Sequence, residues 1–295
     1  MMKRVLSFVF TIVLMSGSAL FAQTGKYGVG TNEEFQGPVG LETYSLRATT
    51  KVDPYQTLEY AKKFGFKYLE LDGNLMKAIP PKELLSLLKK YDMKAVCAHW
   101  SFDELKKDPE TVAKKAKELG LEAVGCAWIG HKKPFDEAAC RNAAAVFNKA
   151  GAALAKEGIR FFYHNHGYEF QPYKDGTLMD LLIKETDPNL VSFQMDILWT
   201  VFPGQDPVAL LKKYPNRWYQ IHLKDLKKGI KGDLSGGTSL DNDVAIGSGQ
   251  ADYPAILKTA QEIGVKYYFI EDESPVVLDQ IPQSLKYLGS VQFPK

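Results

Sequence analysis

The chain predicts an eight-fold parallel βα barrel, the (βα)8 TIM-barrel class, on two observations. Seven lysine- and leucine-rich helical stretches each give way to a short β-branched or aromatic run ending on a polar or small residue, at Glu70, His99, Cys126, His164, Asp196, His222 and Glu271. The opening segment Val39–Leu46 (VGLETYSL) supplies an eighth run. Their spacing of about 25 to 40 residues is the period of a βα unit.

The joints between helix and strand read almost as a repeat: AKKFGFKYLEL at 61–71, AKELGLEAVGC at 116–126, LAKEGIRFFYH at 154–164 and AQEIGVKYYFIE at 260–271. In each, a glycine sits where a helix C-cap needs positive φ, and the apolar run that follows suits a strand buried on both faces. LLKKYDMKAVCAH (87–99) and LLKKYPNRWYQIH (210–222) are variants without the glycine.

The 295 residues suffice for one large barrel, and no linker or charge block divides them, so residues 23–295 are expected to form one domain. Thirty-seven basic against 35 acidic residues leave a net charge of +2, which advertises no nucleic-acid partner. Residues 1–22 have a basic start, an apolar stretch from Val5 to Met15 and a small-residue exit at Ser16–Ala22. That pattern is expected of a secretory signal peptide cleaved after Ala22, which would make the mature chain periplasmic or secreted, with no membrane span beyond the leader. Cys97, Cys126 and Cys140 cannot all pair, have no CxxC spacing, and are read as buried thiols.

Active sites of such barrels form at the carboxyl ends of the strands. Strand 6 (VSFQMD) delivers Asp196, strand 7 (WYQIH) His222 and strand 8 (YYFIE) Glu271, a set suited to one divalent ion, Mn²⁺, Co²⁺, Zn²⁺ or Mg²⁺. Strand 5 (RFFYHNHGYEF) is expected to add the fourth ligand. His164 and His166 lie two apart and share a face if the strand continues, so one, expected to be His164, can ligate while the other serves as acid, base or substrate contact. Lys224 shares a face with His222 and is placed to stabilise an enolate oxygen. Tyr44, Arg47, Glu70, His99, Trp100, Trp128 and Trp199 fall at or just beyond strand ends and are candidate pocket residues, with barrel-core packing the competing reading for the aromatics. His131 reads as a loop residue, and GSGQADY (247–253) lacks a phosphate-loop pattern and reads as rim.

The ordered set TYSLR (43–47), YLELDG (68–73), CAHW (97–100), YHNHGYEF (163–170), FQMDILW (193–199), QIHLKD (220–225), GSGQADY and FIEDES (269–274) resembles the xylose-isomerase-like barrels of the sugar phosphate isomerase/epimerase superfamily over roughly residues 38–292. The resemblance implies a metal held by Glu, Asp, His and Glu from strands 5 to 8, with the two glutamates as an acid/base pair. Asp196, His222 and Glu271 match the last three. His164 stands where the first glutamate is expected, with Glu169 five residues on as a further acid/base candidate.

The expected activity is therefore α-proton abstraction from a metal-chelated keto-sugar or 3-keto-glycoside, continuing to epimerisation, isomerisation or β-elimination. A strand-5 histidine suits elimination, because protonating a departing oxygen calls for an acid with pKa near neutral. Two other readings stay open: an apurinic-endonuclease-like phosphodiesterase, which needs about three zinc ions and a basic groove, and a catalytically silent sugar-binding barrel. A homo-oligomer is compatible with either.

Overall fold

The computed structural model describes residues 24–295, so the expected leader at 1–22 lies outside the described residues. Eight parallel strands close into a barrel: β1 (Val39–Glu42), β2 (Tyr68–Leu71), β3 (Lys94–His99), β4 (Ala123–Cys126), β5 (Arg160–His164), β6 (Val191–Asp196), β7 (Trp218–Leu223) and β8 (Tyr267–Ile270). They pair in chain order, and β8 closes on β1 through Tyr268 opposite Val39. The principal helices after successive strands are α1 (Pro54–Lys63), α2 (Pro81–Lys90), α3 (Pro109–Glu118), α4 (Glu137–Ala155), α5 (Leu178–Glu185), α6 (Pro207–Lys213), α7 (Tyr253–Glu262) and α8 (Val277–Leu288). Among the described residues no helix is long and apolar enough to cross a membrane.

Local chemistry explains the alternation. Proline opens α1, α2, α3 and α6, where its missing N–H costs nothing and its φ is already helical. Aspartates at the N-caps of α1, α3 and α6 accept from the first exposed backbone N–H groups. At the other ends, Gly65, Gly120, Gly158 and Gly264 all adopt positive φ, and in the 87–99 joint Asp92 takes that conformation at φ 55 in glycine's place.

Two strand ends shape the rim. β1 stops at Glu42, and Thr43–Leu46 winds into a 3₁₀ turn whose first N–H, on Tyr44, is capped by the Glu42 side chain. β8 stops at Ile270, leaving Glu271 on the first residue of the rim.

Inside the barrel the packing is tight. A Cβ at Gly125 would lie 2.4 Å from the Phe162 ring and one at Gly40 would lie 2.6 Å from the Phe269 ring, so both glycines make room for interior aromatics. Above that layer Gln220 donates to Cys97 Sγ at 3.5 Å, and the His99 ring stands edge-on to Phe162 with centroids 5.4 Å apart. The three cysteines are buried and free.

The pairing register shifts at two places, between Leu69 and Glu70 against β3 and between Phe193 and Gln194 against β7. Such irregularities re-aim the following side chain. Here the two re-aimed side chains meet: Gln194 Nε2 donates to Glu70 Oε2 at 2.8 Å across the barrel.

Candidate metal centre and active site

His164, Asp196, His222 and Glu271, from the ends of β5, β6 and β7 and just past β8, each turn one ligand atom inward, and these atoms lie within 4.8 Å of one another. All four residues are buried. His164 Nε2 and His222 Nδ1 both stand 3.9 Å from Asp196 Oδ2, and His222 Nδ1 lies 3.0 Å from Glu271 Oε2.

The quartet fits a divalent cation by a test independent of any relative. Asp196 Oδ1 caps the Trp199 N–H at 2.8 Å, but Oδ2 is buried with no hydrogen-bond partner. A buried carboxylate oxygen without a donor is costly, and a cation among two imidazoles and two carboxylates removes the cost.

Behind the quartet lies a network that sets ring orientation. His164 Nδ1–H donates to Gln194 Oε1 at 2.9 Å, which turns Nε2 toward the centre. His222 Nε2–H donates to Glu70 Oε2 at 2.9 Å, which turns Nδ1 there. Glu70 also takes a hydrogen bond from His99. Carboxylate and amide partners of this kind fix tautomers and raise the basicity of metal-binding imidazoles.

The electrostatics follow from burial. Burial pushes the Asp196 carboxyl up to about 7, with Lys224 opposing the rise and Glu271 adding to it. Burial would raise Glu271 too, but Lys224 and His222 beside it hold it well below the usual carboxylate range. Glu70, although fully buried, is held at about 2 by the His222 and His99 imidazoles. His222 rises well above an ordinary histidine, against its burial, because Glu70 and Glu271 flank it. Burial, then His222, drives His164 far down.

A cavity of about 320 Å³ opens onto three of the four, His164, His222 and Glu271, and is lined also by His166, Tyr44, His99, Trp128 and Glu273. The His166 ring centroid is 4.7 Å from that of His164, and its Nδ1 is buried without a partner. Burial lowers His166 to about 3, so its imidazole is neutral near pH 7.

Lys224 Nζ donates to Glu271 Oε2 at 3.3 Å and to Glu273, lies 4.0 Å from Asp243 Oδ2, and sits over the Trp199 ring at 5.7 Å. Those carboxylates keep it charged although it is buried.

Other sequence candidates sit elsewhere. Glu70 and Trp100 do not line the cavity: Glu70 lies behind the histidines, and Trp100 lines the neighbouring cleft. Arg47 stacks on Tyr44 with 4.9 Å to the ring centroid and donates to the Glu273 carbonyl at 2.6 Å, bracing the rim. Trp199 lines a smaller cavity beside Lys224. Glu169 is not brought to the site. The turn at Gly167, φ 90, folds it back to accept from the Tyr163 hydroxyl and from the His166 N–H at 3.0 Å, on the helix-facing side of β5. His131 lies in a loop.

Sequence reasoning missed Gln194, Glu42, Glu273 and Asp243. Gln194 had a local signal, standing two residues before Asp196 and so on its face of β6, and Glu42 had another as the polar end of β1.

The family description "xylose isomerase-like TIM barrel" matches residues 58–290. An inosose dehydratase of Clostridium beijerinckii is 24% identical over 255 residues, covering 75% of this chain and 83% of that protein. The chain spans only 34% and 54% of the length of the inosose dehydratases of Clostridium tetani and Clostridium perfringens that it also matches. The solved sugar phosphate isomerase/epimerase of Parabacteroides distasonis is 26% identical, with a TM-score of 0.72 over 86% of this chain and 95% of that one. The structure of the IOLI protein with a bound zinc atom shares the fold at 14% identity, with a TM-score of 0.64 over 85% of this chain and 95% of that one. With the description matched over most of a closed eight-stranded barrel, the chain belongs to the xylose isomerase-like TIM-barrel family.

Proposed function

We propose that the protein is a divalent-metal-dependent enzyme that removes an α-proton from a keto-sugar or 3-keto-glycoside and expels the β-oxygen substituent. The observation that carries this reading is the unpartnered Asp196 Oδ2 within the buried quartet, with the unpartnered His166 ring beside it. Two imidazoles and two carboxylates favour Zn²⁺, Mn²⁺ or Co²⁺ over Mg²⁺. Bound there, the ion would supply Lewis acidity to a carbonyl and its neighbouring hydroxyl.

The chain's own groups account for the rest. Neutral His166 takes the α-proton, and the Lys224 ammonium faces the oxygen on which negative charge collects. The C–O bond at the β-carbon then breaks, its electron pair leaves with the oxygen, and the proton held by His166 neutralises it. The products are an enone and water or an alcohol. A histidine rather than a glutamate at the end of β5 disfavours epimerisation by two matched carboxylates, and the dehydratase names of the relatives agree with elimination.

Among the described residues the only other group of possible metal ligands, Glu70, His99 and His222, shares His222 with the quartet, which argues against a three-zinc phosphodiesterase. Export is part of the proposal, and N-terminal sequencing of protein from the native host tests it: a start at Gln23 is expected. The chemistry is tested by NMR in D₂O with an inosose and with methyl 3-keto-glucoside. Metal-loaded protein should wash deuterium into the α-position or release the eliminated group, and chelator-treated protein should do neither. Binding without exchange would leave the silent sugar-binding barrel as the better reading.

A further inference from the structure

Next to the metal-centred cavity, and sharing Gly73, Lys77, His99, Ala127 and Trp128 with it, lies a second cleft of about 670 Å³ that runs from beyond the ends of β2, β3 and β4 to the last turn of α3. The two differ in chemistry. Carboxylates and imidazoles dominate the first, whereas Trp100, Phe102, Met76 and Leu119 bring apolar surface to the second alongside the charged Asp103, Glu104, Lys115 and Glu118. Ligand pockets run from about 300 to 1,000 Å³, so the first cavity is at the scale of one sugar ring and the second takes a group at least as large.

Trp128 stands at the junction and is 40% exposed. Exposure of that size in so large an apolar side chain usually goes with mobility, yet this ring is held on several sides. His131 packs on it at 5.6 Å with planes 27° apart, and Tyr168 and His166 meet it edge-on at 4.7 and 5.2 Å. A tryptophan braced by three rings and still open is a preformed platform rather than core packing.

We infer that this cleft is the leaving-group subsite: the substrate is a glycoside whose departing group is a ring with a flat apolar face, seated on Trp128 while the sugar occupies the metal-centred cavity. This rests on the elimination reading, and it places the β-oxygen at the junction between the cavities. Binding energy gathered in the second cleft is available to hold the reacting ring in register.

The test is calorimetric binding of unoxidised probes to metal-loaded protein, which needs no turnover and so stands apart from the deuterium experiment. Phenyl β-glucoside is expected to bind about tenfold more tightly than methyl β-glucoside, the scale of one aromatic stacking contact with its buried area. Trp128→Ala and Met76→Ala should each bring that ratio toward one, and circular dichroism should show both variants folded. Cellobiose gaining as much as the phenyl glycoside would identify the departing ring as a second sugar; gain by the phenyl probe alone would identify an aryl group. Equal affinities for all three probes, no measurable binding of any, or a ratio unmoved by both substitutions would overturn the subsite. Deuterium wash-in without a phenyl preference would overturn it while leaving the elimination chemistry standing.

Discussion

The two ends of the barrel treat their carboxylates in opposite ways. At the amino-terminal end of the strands, Glu122 accepts from the exposed Lys94 at 2.5 Å and Lys266 at 2.6 Å and from the buried Tyr267 hydroxyl at 3.1 Å, and Arg160 donates to Ser192 at 2.7 Å. Every one of those charges has a partner and water nearby. At the carboxyl-terminal end, Asp196, Glu271, His164 and His222 crowd together in a dry setting, and Asp196 Oδ2 has no partner. A fold that partners Glu122 at one end and leaves Asp196 Oδ2 in the quartet, with Asp272 Oδ2 on the same rim, without a donor at the other keeps the second end for a ligand.

That contrast is broken most directly at the quartet. Asp196→Asn or His222→Gln should lower metal affinity by at least about 100-fold, since even outer partners cost about 10 to 100-fold. Elemental analysis after dialysis would read it, and full metal retention by both variants would remove the proposed centre. Elimination should fall with the metal while the fold persists.

His166→Gln separates proton transfer from ligation. Metal content should stay at the parent level while turnover on a keto-glycoside falls by about two to four orders of magnitude, the usual scale of general acid–base catalysis. Near-normal turnover would pass the base role to Glu271 with Lys224.

Glu70→Gln sharpens the comparison one layer back. It leaves all four ligands in place but deprives His222 Nε2 of its carboxylate, so metal affinity should fall by about 10 to 100-fold. An unchanged metal dissociation constant would mean that β7 packing alone orients the ring.

The smallest effect belongs to the other end. Lys266 and Lys94 hold Glu122 at about 2, against burial, below its ordinary value of 4.5. A carboxylate depressed on folding adds stability above its unfolded pKa and loses it as pH falls through the folded value. Because the site is well solvated, Glu122→Gln should cost no more than about 1 kcal/mol at pH 7. Parent and variant urea midpoints should converge between pH 4.5 and 2, with activity untouched. A change in metal affinity in this variant would mean that the two ends are coupled.

Much of this was legible along the chain because it is local. Strand ends, glycine C-caps and proline-opened helices depend on a few consecutive residues, and the barrel follows from repeating them. Asp196, His222 and His164 were legible for the same reason, since strand parity and position at a strand end suffice to aim them at one rim. Even there, the local rule overran at Glu169: the reading of YHNHGYEF carried the site past the point where Gly167 turns the chain away. What only the tertiary structure decided lies between strands. Gln194 and Glu70 are 124 residues apart, and their contact depends on two register shifts that no local pattern encodes. The protonation of His166 is likewise set by how deeply the closed barrel buries it, not by its neighbours in sequence. Residue type and spacing determined which groups reach the rim, whereas barrel closure determined their partners, their protonation and the orphaned oxygen that marks the site.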